Sequence, residues 1–393
     1  MGSLLIKNAS AIMNGTVKTR SCVYCENGVI KGIGAGLAGM AADEQVDAGG
    51  NMLSPGFIDL HAHGAKGLLA ENGRGQLEAL CRILPGYGVT AFVPAVCPMR
   101  SEEEDIALLR ELSQARPEGA EILGILLEGH YLALSGAISN IQKNTDEGRL
   151  RRLIGSVSPY KPIFAISPEI EGIEGLLPIM ASNGFPAFIT HTAASAEETR
   201  AAIDAGATHA THFYNVFPYR GDNEPGVRSC GAIETILANQ KASVDFILDG
   251  EHVKPETIKM AIEAKGAGKV SLITDSNINA GMPPGRYKGI GNIEVEVFYE
   301  GGPARLTEDS AMPGKLAGSG LTMDRAVQNA IRFLGVGIAE AVAMASSNPA
   351  SALGLEKKGR IEEGFDADMA LLDEGLNVLR CWVGGICRYT GKE

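Results

Sequence analysis

The stretch "PAFITHTAASAEETRAAIDAGATHATHFYN", residues 186–215, decides the fold. A short apolar run, "AFI", leads into a stretch rich in Ala and Glu, and a second run, "ATHATHFYN", follows. Run, amphipathic stretch and run form one parallel βα unit, since parallel neighbours need a crossover helix and are buried on both faces. The same rhythm extends outward in both directions. The remaining runs are "GFIDLHAHG" (56–64), "VTAFVPAV" (89–96), "EILGILLEG" (121–129), "PIFAISPE" (162–169), "SVDFILDGEH" (243–252) and "KVSLITDSN" (269–277). Between them lie helix-like segments such as "GQLEALCRILPGYG" (75–88), "SEEEDIALLRELSQA" (101–115) and "KPETIKMAIEAKGA" (254–267). Eight runs joined in this way predict an α/β fold, a (β/α)8 barrel of the TIM type.

Both ends of the chain have a different texture. Residues 1–54 read as short β segments with Asn-Gly hairpin signals at Asn14 and Asn27, and residues 357–393 turn β-like again. The predicted organisation is a small β domain built from 1–54 plus 357–393, with the barrel over 55–356. Residues 286–317, glycine-rich and partly β, read as an active-site loop inserted after the last barrel strand.

Composition narrows the function. The chain has 393 residues, a formal net charge of −12 and only 5% aromatic residues. That balance argues against nucleic acid or an anionic membrane surface as partner, and no basic stripe is present. It leaves a small-molecule substrate. No apolar run reaches the roughly 18 residues of a membrane span, and Lys7 and Asn8 break the start before a signal-peptide core can form. The seven cysteines are scattered and odd in number, which suits a reducing compartment, and a cytoplasmic location is expected. Cys22 and Cys25 form a CxxC without a second pair or a nearby histidine, and read as ordinary strand residues.

The C-terminal tips of barrel strands face one common site. The polar residues there are His61 and His63 after "FIDL", Glu128 after "ILL", His191 after "FIT", His212 in "ATHATHFYN" and Asp275 in "LITDSN". Four imidazoles and two carboxylates at one mouth have the composition of a transition-metal site, one or two divalent ions per subunit, zinc first, with iron, manganese and cobalt also accepted. His61 and His63 are two apart on a strand and share a face. Glu128 ends an apolar strand, where a buried carboxylate needs a cation. The expected metal ligands are thus His61, His63, Glu128, His191 and His212. Asp275 is the expected catalytic acid/base, taking a proton from water acidified by the ion and returning it to a leaving amine. His209, three residues before His212, points to the opposite side and reads as structural. His252 follows another strand end and reads as a substrate contact, while the role of His130 stays open between contact and structure.

Taken together, these motifs resemble the amidohydrolase superfamily and, within it, the N-acetylglucosamine-6-phosphate deacetylases. The resemblance runs nearly end to end and includes "PGFIDLHAHG", "LLEG", "GATHATHFYN", "ILDGEHVKPETIKMA", "LITDSNINAGMPPGRY" and "LAGSGLTMDRAVQNAI". It implies a barrel with a small β-sandwich from both termini, usually a homodimer. The implied activity is deacetylation of an N-acetyl amino-sugar phosphate by metal-hydroxide attack on the amide. It also implies that Glu128, His191 and His212 hold the main metal, that Asp275 is the acid/base and that His252 contacts the sugar. Two positions depart from the family. Ile138 stands where a carbonyl-polarising histidine is expected, with His130 replacing a nearby proline. Asn223 stands where an arginine commonly binds phosphate, and Arg220 and Arg228 are the candidate substitutes. The candidate substrate-binding residues are accordingly His130, Asn215, Arg220, Arg228 and His252. The alternatives are an amidohydrolase acting on another acylated amine or a cyclic amide without phosphate, and a non-catalytic metal-binding barrel.

Overall fold

A computed structural model of the chain describes residues 2–137, 140–220 and 225–391. The eight predicted runs form eight parallel strands: Phe57–Ala62, Val89–Val96, Ile125–Tyr131, Pro162–Ile166, Ala187–Ile189, His209–Ala210, Ser243–Ile247 and Val270–Ile273. Each pairs with the next in chain order. The eighth strand returns to the first through Asp275 N–H donating to the His61 carbonyl (2.8 Å) and His63 N–H donating to the Ser276 carbonyl (3.0 Å). The barrel is therefore nearly closed, and His61, His63 and Asp275 of that seam are themselves site residues. Phe57, Phe92, Phe164, Phe188 and Phe246 are fully buried in the barrel core. Fully burying one such ring is worth roughly 1.5–3 kcal/mol.

Three crossover helices start where the sequence supplies a Ser or Asp cap. Ser101 accepts from Glu104 N–H ahead of Glu102–Leu112, and Asp146 accepts from Arg149 N–H ahead of Glu147–Val157. Ser195 and Glu198 form a reciprocal capping box on Ala196–Asp204, so the helix cap lies four residues after His191 and fixes how the chain leaves that strand tip.

Strands from both termini join in one eight-stranded sheet. Along Ser3–Met13, Leu4, Ile6, Ala9, Ala11 and Met13 pack in one cluster with Trp382 and Met369, while Leu5 packs on the other face with Cys22 and Tyr24. Cys22 and Cys25 belong to these two different clusters and are free thiols, in accord with their reading as strand residues. Lys358 ties this sheet to the barrel edge, its ammonium lying 2.7 Å from Glu121, 2.9 Å from Asp366 and 2.8 Å from Asp368. The segment expected as an inserted loop folds into a small antiparallel sheet of Gly285–Lys288, Glu294–Val297 and Arg305–Leu306. Its core of Val295, Val297, Ala304, Leu306 and Ala317 reaches over the barrel mouth to Ala137.

Candidate active site

Glu128 is the hub of the barrel mouth. Its Oε2 lies 3.2 Å from His61 Nε2 and 3.0 Å from His63 Nε2, while Oε1 lies 3.1 Å from His212 Nε2 and 3.6 Å from His191 Nε2. One carboxylate thus faces two histidine pairs, one oxygen to each. Asp275 Oδ1 joins the first pair at 3.5 Å from His61 and 3.4 Å from His63. The four histidines and Glu128 are buried, while Asp275 is only partly so, with 13% of its side chain exposed at the cavity. The structure therefore brings together every residue expected at the metal and acid/base positions.

Local backbone turns these side chains inward. His191, His212 and Asp275 have φ values of 48°, 34° and 45°, in the left-handed region that side-chain-bearing residues rarely enter. Each sits just past its strand, where continued extension would carry the next side chain on along the pleat. Hydrogen bonds hold the turned conformations. His191 Nδ1 meets the Leu134 carbonyl at 2.8 Å, and on the extended first strand His61 Nδ1 meets Thr211 Oγ1 at 3.1 Å. His212 N–H donates to Asp245 Oδ1 at 2.6 Å. The other Asp245 oxygen is 2.8 Å from His209 Nε2, so His209 is a structural histidine outside the cavity wall.

The donor set fits a cation. His61 Nε2 and His63 Nε2 approach to 3.3 Å, a distance at which two ring nitrogens need either a shared proton or an ion between them. Burial pulls the His63 imidazole down, but Asp275 and Glu128 overcome it and push it up to about 10. Burial likewise opposes protonation of His212, and Glu128 then raises it to about 9. Glu128 is pushed up by burial, yet the charge on His61 and bonds from His191 and His212 hold it well below the usual carboxylate range. Without an ion, protons on His63 and His212 serve as the countercharge. Ligand sets drawn from His61, Glu128 and His212, and from His61, His63 and Asp275, each converge within 4.8 Å.

A cavity of about 610 Å³ opens onto this cluster. Asn215 and His252 line it, with His252 Nδ1 held at 2.7 Å by Asp249 Oδ2. His130 does not. Strand alternation would put residues 128 and 130 on one face, but Gly129 at φ 117° breaks the pleat, and the ladder shifts register there. His130 consequently lies buried outside the cavity, 3.7 Å from Asp105 of the helix Glu102–Leu112. Arg220 and Arg228 also fall outside the cavity wall: Arg220 pairs with Glu198 at 2.8 Å, and Arg228 is largely exposed, 3.7 Å from Glu234. Ile138 and Asn223, the two departures from the family pattern, lie outside the described residues.

Several cavity residues carried no signal in the sequence. Lys315, on the segment after the small antiparallel sheet, lines the cavity and donates to the Gly136 carbonyl at 2.7 Å. Tyr214 and Asn277 line it too. Asp245, which holds His212, did carry one: an acid inside the apolar run "VDFIL", the same kind of mark as Glu128.

Known proteins share this arrangement at the level of sequence and fold. The sequence profile of the Amidohydrolase family matches residues 184–387. An N-acetylgalactosamine-6-phosphate deacetylase of Escherichia coli is 31% identical over 85% of this chain and 87% of its own. An N-acetylglucosamine-6-phosphate deacetylase of Vibrio furnissii is 30% identical over 92% and 88% respectively. The solved structure of an aspartate-to-alanine mutant of the Mycobacterium smegmatis N-acetyl-D-glucosamine-6-phosphate deacetylase, in complex with N-acetyl-D-glucosamine-6-phosphate, superposes with a TM-score of 0.85 at 26% identity, covering 99% of this chain and 100% of that one. With a buried His/carboxylate cluster at the mouth of a parallel barrel, the chain belongs to the amidohydrolase family.

Proposed function

We propose that the protein removes the acetyl group from an N-acetyl amino-sugar 6-phosphate, of the glucosamine or galactosamine type named for its relatives. One observation carries this reading: the Glu128 carboxylate set between two histidine pairs with Asp275 alongside, at the floor of a sugar-sized cavity. His61, His63, Glu128, His191 and His212 hold the divalent ions, one or two per subunit, with zinc the first choice. When bound, such an ion polarises an acyl oxygen and acidifies water. Asp275 accepts the proton of the attacking water and delivers it to the sugar nitrogen as the C–N bond breaks, giving acetate and a free amine. Asn215 and His252 orient the sugar, and Lys315 faces its phosphate. The working form is a homodimer in the cytoplasm, with residues 55–356 as the hydrolase barrel and 1–54 plus 357–393 as the small β domain. No helix among the described residues is long and apolar enough to cross a membrane.

A second reading has its own support. Among the described residues, Lys315 is the one Lys or Arg lining the cavity, and much of the remaining wall is apolar, including Ile290, Ile293, Val295 and Leu306. That wall suits an acylated amine without phosphate. The discriminating experiment measures acetate release by metal-replete protein from N-acetylglucosamine and N-acetylgalactosamine, each with and without the 6-phosphate. At least a tenfold preference in kcat/KM for a phosphorylated sugar is expected. Equal or better turnover of the unphosphorylated sugars would end the sugar-phosphate reading and favour the second.

A further inference from the structure

The second barrel strand ends at Val96, and the residue at its tip is Cys97. Its thiol is buried, yet unlike the other buried cysteines it belongs to no apolar cluster. Cys81 and Cys381 pack in the barrel core, Cys25 in the terminal sheet, and Cys22 on that sheet's other face. Cys97 has polar company instead. Its Sγ, a ring nitrogen of His63 and a carboxylate oxygen of Glu128 all lie within 4.8 Å of one another. Barrel order accounts for the meeting: His63 follows the first strand, Glu128 ends the third, and the tip of the second lies between them. Gly129 makes the approach close enough. A Cβ there would lie 2.4 Å from Pro98 Cδ, so only a glycine lets the Cys97–Pro98 tip pack against Glu128.

We propose that Cys97 is a thiolate ligand to the ion on the His61/His63 side, which would make the centre a histidine, carboxylate and thiolate set. The inference rests on the metal-centre reading above. Ligand bonds of about 2.0–2.3 Å to nitrogen, oxygen and sulfur let one ion span such a trio with small side-chain adjustments. On binding, the S–H bond breaks, the sulfur–metal bond forms and the proton leaves to solvent. A sulfur ligand biases that side towards zinc, iron or cobalt over manganese or magnesium.

Cobalt(II) titration of metal-free protein tests this by absorption rather than activity. Wild type and the exposed-cysteine control Cys230→Ser should each develop a near-ultraviolet thiolate-to-cobalt charge-transfer band. Cys97→Ser should lack the band and bind one ion more weakly by more than the roughly 10–100-fold that losing an outer-sphere partner costs. Cys97→Ala, with its folding checked by circular dichroism, is a second variant with the same expectation. Two cobalt ions per wild-type chain without the band would overturn the proposal while leaving the metal centre intact, and so would a band that survives in Cys97→Ser. Wild type that takes up less than one cobalt per chain would overturn the metal-centre reading itself, and the Cys97 assignment with it.

Discussion

Asp275→Asn removes a charge and a proton-accepting oxygen while keeping the shape of the side chain. Burial alone would push the Asp275 carboxyl up, but positive charge on His61 and the bond from His63 hold it below the usual carboxylate range. At neutral pH it is therefore ionised and ready to accept a proton, and its partial exposure faces the cavity where water and substrate meet. An amide can do neither half of the transfer. General acid–base catalysis by a positioned group is worth about 10²–10⁴ in rate, or roughly 3–5 kcal/mol of barrier at about 1.4 kcal/mol per decade. Glu128 and the four histidines remain in place, so ion content should hold. The expected result is a fall in kcat of about 10³-fold with KM changed little. Steady-state kinetics combined with atomic emission on the same preparation would measure both. A kcat within tenfold of wild type at full metal content would refute the acid/base role. Loss of metal in proportion to activity would make Asp275 a ligand and nothing more.

Four further outcomes follow from the same geometry. Glu128→Gln, which weakens the contact to both histidine pairs, should strip the protein of nearly all metal, and full metal content by atomic emission would contradict the hub role. Lys315→Met should raise KM for a 6-phosphate sugar about tenfold, close to 1.4 kcal/mol, while leaving unphosphorylated sugars unaffected; equal effects on both would remove Lys315 from phosphate recognition. Asp245→Asn should weaken metal binding roughly 10–100-fold through His212 and lower stability by about 1–3 kcal/mol as a buried network is broken, read by competition with a chelator and by thermal melting. Because His63 and His212 titrate at about 10 and 9 without metal, both are protonated below pH 9 and an incoming ion must displace those protons. Apparent metal affinity should therefore rise with pH through the neutral range, and a flat profile in calorimetric titrations would count against these two as ligands.

The barrel was legible because buried parallel strands are written as unbroken apolar runs, and all eight runs became strands. The cluster at its mouth was legible for a related reason: a histidine or an acid closing an apolar run has no bland partner in the core. His130 went astray because period-two alternation fails at a glycine with positive φ, which the letters around Gly129 do not announce. Arg220 and Arg228 stand close in sequence to a phosphate motif, but in a stretch without periodicity nothing in the sequence says which way a side chain turns. Lys315 and Cys97 reach the site through topology: one by way of a sheet folded back over the mouth, the other by the ordering of neighbouring strand tips.

The left-handed backbone at His191, His212 and Asp275 sets activity against heat resistance. Holding an ordinary side chain in that region costs about 1–3 kcal/mol at each position, a cost from which glycine is nearly free. Laboratory evolution that rewards only a higher melting temperature would feel pressure towards His191→Gly, His212→Gly and Asp275→Gly, and every such step would dismantle the ion site. Selection that alternates heat with turnover should instead leave these positions untouched and gather its gains elsewhere.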